Sequence, residues 1–288
     1  MLTAFLLALA LDTTNVRAIT LAPAETLHTV SIGSGETVVF IPGLLGGAFG
    51  YREVMQRLAE RSVRAVAVEP LGYGESSRPS RADYSLGAQA ARIGQVMDSL
   101  GIPSAWIVAH ALGASIALRL AQAAPERVKG VLLLEGGVSE SAAPPGLKRA
   151  MKLAPLLKLF VGRGTIRRSI RSGLRSNSGD TTWISDAVLD GYTAGAARNV
   201  GATINAFRGM ARSHETATLH SLLAEIRIPV RLLLGTAPHE SGVSAGAVDS
   251  LTQLLPDFEV EEVAGAGQYL HEERPDAVVQ ALVSLMEL

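Results

Sequence analysis

The stretch Trp106-Ile107-Val108-Ala109-His110-Ala111-Leu112-Gly113-Ala114 passes from a β-branched apolar run into a helical-period run through one tight turn. Residues 105–109 read as a strand and residues 112–124 as the helix that follows it. The alternation continues on both sides. Strands are expected at 37–41, 65–68, 128–134, 230–234 and 258–263, with helices at 51–60, 86–100, 245–255 and 275–288. Strands this apolar have both faces covered, which predicts an α/β fold with a mostly parallel central sheet flanked by helices. Residues 26–32, before the turn signal Gly33-Ser34-Gly35, predict an antiparallel strand at the edge.

The rhythm breaks at residues 139–221, where mixed helical pattern separates two similar strands. This is read as an inserted helical cap, dividing the core into residues 19–138 and 222–288. Within the cap, Lys148, Arg149, Lys152, Lys158, Arg163, Arg167, Arg168, Arg171 and Arg175 meet no Asp or Glu between Ser141 and Gly179. Leu147, Met151, Leu156, Leu157, Phe160, Ile166, Ile170 and Leu174 interleave with them. Two readings stay open for this cationic amphipathic surface: a solvated basic face, or a weak contact with anionic membrane or an anionic ligand.

Composition bounds the rest. With 48% hydrophobic and 18% charged residues and a net charge of -1, the chain fits one globular α/β domain and gives no sign of nucleic-acid binding. The absence of cysteine excludes disulfides, a thiolate nucleophile and Cys-based metal sites. Trp106 and Trp183 read as packing groups, and His239-Glu240 lacks a second histidine at metal-ligand spacing, so no metal or cofactor is expected. Residues 1–18 hold the apolar run Leu2 to Leu11 and the small-residue pattern Val16-Arg17-Ala18, either a leader for export or an amphipathic extension of a cytoplasmic protein. Oligomeric state is not encoded in any motif found.

The turn at residues 106–114 resembles the nucleophile elbow of the α/β-hydrolase superfamily, pattern G-x-S-x-G, with Ala111 in place of the serine. Phe40-Ile41-Pro42-Gly43-Leu44-Leu45-Gly46-Gly47 resembles that family's oxyanion loop, and Glu69-Pro70-Leu71-Gly72-Tyr73-Gly74-Glu75-Ser76 its D-x-P-G-x-G-x-S turn. Ala124-Pro125-Glu126-Arg127-Val128 is similar to its helix-to-strand junction. The resemblance implies oxyanion donors at the main chain of Leu44 and Leu112, which would survive loss of the nucleophile's side chain.

By the same resemblance the acid belongs at Pro238, in the G-x-x-D position after Gly235, and the base at Gln268, in Gly265-Ala266-Gly267-Gln268-Tyr269-Leu270-His271-Glu272-Glu273-Arg274-Pro275. A carboxamide exchanges no proton near neutral pH. Substitutes within reach of the pattern are Glu135, Glu240, His110, His271 and Tyr269, with His271 needing displacement to meet the elbow. Glu135 and Glu240 also read as ordinary strand-end and loop carboxylates, and His110 as a local packing group.

The expectation is a degenerate triad and a non-hydrolytic pseudoenzyme that binds a small apolar ligand or a partner beneath the cap. One alternative is a non-covalent lyase, isomerase or cyclase using the retained oxyanion hole. Another is a hydrolase with a relocated nucleophile at Ser115 or Ser139, and an engineered serine-to-alanine change at Ala111 is the last.

Overall fold

The computed structural model describes residues 14–152, 162–240 and 242–287. Eight strands form one sheet: β1 (Asn15–Ala22), β2 (Glu25–Ile32), β3 (Glu36–Ile41), β4 (Val63–Val68), β5 (Ala105–His110), β6 (Val128–Leu134), β7 (Val230–Gly235) and β8 (Phe258–Val263). Their order is β1-β2-β4-β3-β5-β6-β7-β8. β1–β2 and β2–β4 are antiparallel and every later pairing is parallel.

The strand run 26–32 is antiparallel as expected, but it is not the edge. β1 lies outside it, and the edge reading is corrected accordingly. β1 escapes a hydrophobicity reading because most of it is exposed, so no core selects its residues. Val16, Arg17 and Ala18 pair with Val30, Thr29 and His28 inside this strand, whereas Leu2 to Leu11 falls outside the described residues.

Alternate residues of each central strand face opposite layers, because successive side chains of a strand point to opposite sides. Val39, Ile41, Val66, Ile107, Ala109 and Leu133 meet one layer, centred on Ile93, Val96, Ile116 and Leu120. Val38, Phe40, Ala65, Val108 and Leu132 meet the other, centred on Val54, Leu58, Val278 and Leu282. The helices before the cap are α1 (Arg52–Ala59), α2 (Leu86–Ser99) and α3 (Leu112–Ala123). Between β6 and β7, where the sequence predicts the cap, the described residues carry α4 (Pro145–Lys152), α5 (Arg163–Ser176), α6 (Asp186–Arg198), α7 (Val200–Arg212) and α8 (Leu219–Leu222), and after β7 come α9 (Ala245–Leu254), α10 (Leu270–Glu273) and α11 (Pro275–Met286).

The cap's basic face has acids that its own helix lacks. Arg167 pairs with Asp186 and Asp190, each at 3.0 Å, and Arg171 with Asp186 at 2.8 Å. Both aspartates lie on α6, so local sequence spacing alone overstated the unopposed charge of α5. Lys158 lies outside the described residues.

Candidate functional site

β5 ends at His110 and α3 begins at Leu112, which leaves Ala111 alone to turn the chain. Ala111 has φ 48° and ψ -118°, a conformation that costs an L-residue about 1–3 kcal/mol. Close packing of glycines permits the turn. A Cβ on Gly113 would stand 2.5 Å from the carbonyl oxygen of Ile41, and one on Gly136 would stand 2.6 Å from that of Ala111. The Ala111 N–H donates to Leu134 O at 3.0 Å, tying the turn to β6. Ala111 offers no side-chain cap to α3, although its carbonyl accepts from the Ala114 N–H at 3.0 Å.

A cavity of about 630 Å³ opens above this turn, lined by Ala111, Leu112, Leu44, Glu135, Gln268 and both His110 and His271 among others. The main-chain N–H groups of Leu44 and Leu112 have no backbone partner among the described residues. The two donors assigned from the sequence thus share a wall with Ala111.

The side chains over the turn are mainly aromatic. His110 and His271 meet edge to face with ring centroids 4.7 Å apart, and Tyr51 lies 4.8 Å from His271. Trp183 and Tyr269 are 5.6 Å apart, and Tyr192 and Tyr269 6.4 Å. Burial disfavours charge on both imidazoles: it pushes His110 down to about 4, partly offset by its hydrogen bond to Gln268, and holds His271 well below the usual histidine value. Burial likewise pushes Tyr269 up to about 12, so its phenol stays protonated.

Hydrogen bonding fixes the tautomers. His110 Nε2 lies 3.1 Å from Gln268 O, an acceptor, so the proton sits on Nε2. The Tyr192 hydroxyl donates to Glu272 Oε1 at 3.0 Å and faces His271 Nε2 at 3.5 Å, leaving its oxygen to accept from that nitrogen. The lone pair of His271 is then on Nδ1, which is buried and has no hydrogen-bond partner among the described residues. Arg52 grips Glu272 through two bonds of 2.7 and 2.9 Å and holds this end of the cavity in place.

The sequence candidates divide clearly. His271 reaches the cavity from its own place at the start of α10, so the displacement expected for it is not required. Gln268 lines the cavity, and its main-chain N–H donates to Asn177 O at 2.7 Å. Pro238 and Glu240 are exposed and do not line it, which removes Glu240 as a substitute acid at this site. Ser115 Oγ is committed to Gly137 O and to the N–H of Ser139, both at 2.7 Å, and Ser139 Oγ to Ser141 O at 3.0 Å.

Glu135 was legible as a strand-end carboxylate, but its partner was not. It is 2% exposed, accepts from the Gly235 N–H at 2.5 Å and faces His239 Nε2 at 3.3 Å. The other ring nitrogen of His239 is 2.8 Å from Ala237 O. Oxygens thus face both ring nitrogens, and the Glu135 contact carries one proton between carboxyl and imidazole. Burial raises the Glu135 carboxyl, in keeping with a shared proton. No signal near His239 announces this pair, because it joins the ends of two strands distant in sequence.

A cluster of at least three His, Asp or Glu able to hold a metal ion does not occur among the described residues. Nor is any of their helices long and apolar enough to cross a membrane.

Residues 36–181 match the family model described as alpha/beta hydrolase fold. A haloalkane dehalogenase, number 2 of Mycobacterium tuberculosis strain H37Rv, is 27% identical over 89% of this chain and 90% of its own length. The structure of wild-type Cfl2 from Burkholderia cenocepacia superposes with a TM-score of 0.76 at 25% identity, over 94% of this chain and 95% of that one. The epoxide hydrolase CorEH shares the fold, with a TM-score of 0.78 at 15% identity over 95% of this chain and 99% of its own.

Proposed function

The chain belongs to the alpha/beta hydrolase fold family, and from that premise we propose that it is a non-hydrolytic member that binds a small, mainly apolar ligand in the cavity above Ala111. Relatives of this chain include hydrolases, so the proposal concerns what this sequence has lost. The observation that carries it is the pairing of a strained elbow with a methyl group at its apex. Ala111 keeps the costly backbone that aims the Leu112 N–H into the cavity, yet it has no atom with which to attack an acyl carbon.

The base side supports the same reading. Gln268 exchanges no proton near neutral pH, and burial keeps the two cavity histidines neutral and weakly basic. What remains is a concave site with main-chain donors at one end and aromatic walls at the other, suited to an apolar molecule bearing one carbonyl or similar acceptor.

A second reading rests on His271. Its buried Nδ1 lone pair lacks a partner and belongs to a side chain on the cavity wall, which favours a non-covalent proton-transfer enzyme of the lyase, isomerase or cyclase type. The proposal also retains a weak contact with anionic lipid through the exposed cap cations Arg168 and Arg175, for which no acidic partner exists among the described residues. Sedimentation with anionic and neutral vesicles at two salt concentrations tests that contact.

The main test is twofold. A fluorophosphonate probe should label no serine, and Ala111→Ser alone should restore no more than trace ester hydrolysis, because triad groups act as a unit. Native mass spectrometry of the purified chain should show a retained apolar ligand. Stoichiometric labelling, or vigorous turnover by Ala111→Ser, would refute the non-hydrolytic reading. Loss of a measured turnover in His271→Phe would favour the second reading over simple binding.

A further inference from the structure

A second cavity, of about 770 Å³, lies on the far side of the oxyanion loop from the elbow. His28, Val30 and Ile32, alternate residues of β2, turn one face of that strand toward it. Phe49, Met55 and Phe207 supply apolar wall from the loop, α1 and α7. The loop residues Leu45, Gly46, Gly47 and Gly50 border both cavities.

The charges on this wall are matched, with one exception. His28 meets Glu69 at 3.1 Å, Arg52 meets Glu272 at 2.7 Å, Glu53 meets Arg57 at 2.8 Å and Glu75 meets Arg198 at 2.5 Å. Arg78 has no carboxylate within ion-pair distance among the described residues. Its two terminal nitrogens donate to main-chain oxygens of Ser76 and Gly74, at 3.1 and 2.5 Å, and its Nε is buried with no acceptor. The hydrogen bonds of this partly buried guanidinium go to neutral carbonyls, while the nearby carboxylates of Glu75 and Glu69 attract it from beyond ion-pair distance and are themselves engaged by Arg198 and His28. Burial accordingly holds Arg78 below the ordinary arginine value.

We propose that this second cavity is a binding site for an amphiphilic carboxylate, its hydrocarbon tail against Val30, Met55, Phe49 and Phe207 and its head on Arg78. The apolar wall provides the area for an alkyl chain, and the unmatched guanidinium selects an anionic head over a neutral one. Glu69 does not compete for Arg78, because its oxygens accept from the N–H groups of Ala48 at 2.8 Å and Glu75 at 2.5 Å and face His28. The site is distinct from the elbow cavity and does not depend on whether that cavity is catalytic.

Calorimetry with decanoate and with decanol, on the full chain at pH 8, tests this. Decanoate should bind with one high-affinity site, and decanol more weakly. Arg78→Gln should weaken decanoate about tenfold or more and leave decanol unchanged, while Arg78→Lys keeps much of the preference. Ala194→Trp, at an exposed wall position, should abolish both, whereas Ser169→Trp at the elbow cavity should leave them intact. Thermal melts equal to the parent protein's certify folding of each variant. Unchanged decanoate affinity in Arg78→Gln, loss through Ser169→Trp in place of Ala194→Trp, or no decanoate binding at all would overturn the proposal.

Discussion

The elbow and the cap helix α5 both contain glycine, and the two sets of glycines behave in opposite ways. At the elbow, a Cβ on Gly113 would meet two backbone oxygens, of Ile41 at 2.5 Å and Pro42 at 2.9 Å. On α5, a Cβ on Gly164 or Gly173 would meet nothing within 4 Å. The elbow is therefore specified by backbone crowding, which only the smallest residue satisfies. The cap helix is specified by a narrow apolar stripe, Ile170 and Leu174, with ion pairs to α6 on its outer face. One region tolerates almost no change and the other a great deal.

Three measurements test that difference. The largest effect is expected from Gly113→Ala, whose methyl group must displace main chain rather than a flexible side chain. It should cost about 3 kcal/mol or more, read as a fall in the urea midpoint, and should distort the cavity. A loss below about 1 kcal/mol would mean that the elbow is looser than its contacts indicate.

Next comes acid sensitivity around the elbow. His110 is lowered in the folded chain to about 4 from an ordinary 6.5, so between those values the unfolded state binds more protons than the folded state. Stability from this group is full above pH 6.5 and is lost as pH falls through the window to about 4. The full loss, reached once pH has fallen through both values, is of order 3 kcal/mol. Melts of His110→Gln and the parent chain at pH 7 and pH 5 should show a smaller acid loss in the variant. An equal loss in both would assign the sensitivity to other groups, such as His271.

The smallest effect is on the cap. Gly173→Ala fills open space in a helix and should stabilise it by about 1 kcal/mol, seen as a rise in melting temperature. A destabilisation there would show that α5 is as tightly specified as the elbow.

The contrast also explains how much was legible in advance. The central strands were readable because burial on both faces forces continuous apolar runs, and 128–134 coincides with β6. The elbow was readable because its glycines and its strand-helix junction are local. β1 was missed, since an exposed edge strand imposes no apolar pattern. The neutralisation of Arg167 and Arg171 was missed because Asp186 and Asp190 come from the next helix.

By itself the sequence determined the fold family and the tight strand-to-helix turn at Ala111, because both follow from short-range spacing. Tertiary structure alone decided that His271 stands in the cavity while Glu240 does not, that Glu135 pairs with His239, and that Arg78 lines a second cavity with no carboxylate within ion-pair distance among the described residues. Those facts depend on which strand ends and loops meet in space. Burial then sets the chemistry, since it lowers both cavity histidines below their ordinary value and outweighs the pull of Glu75 and Glu69 on Arg78.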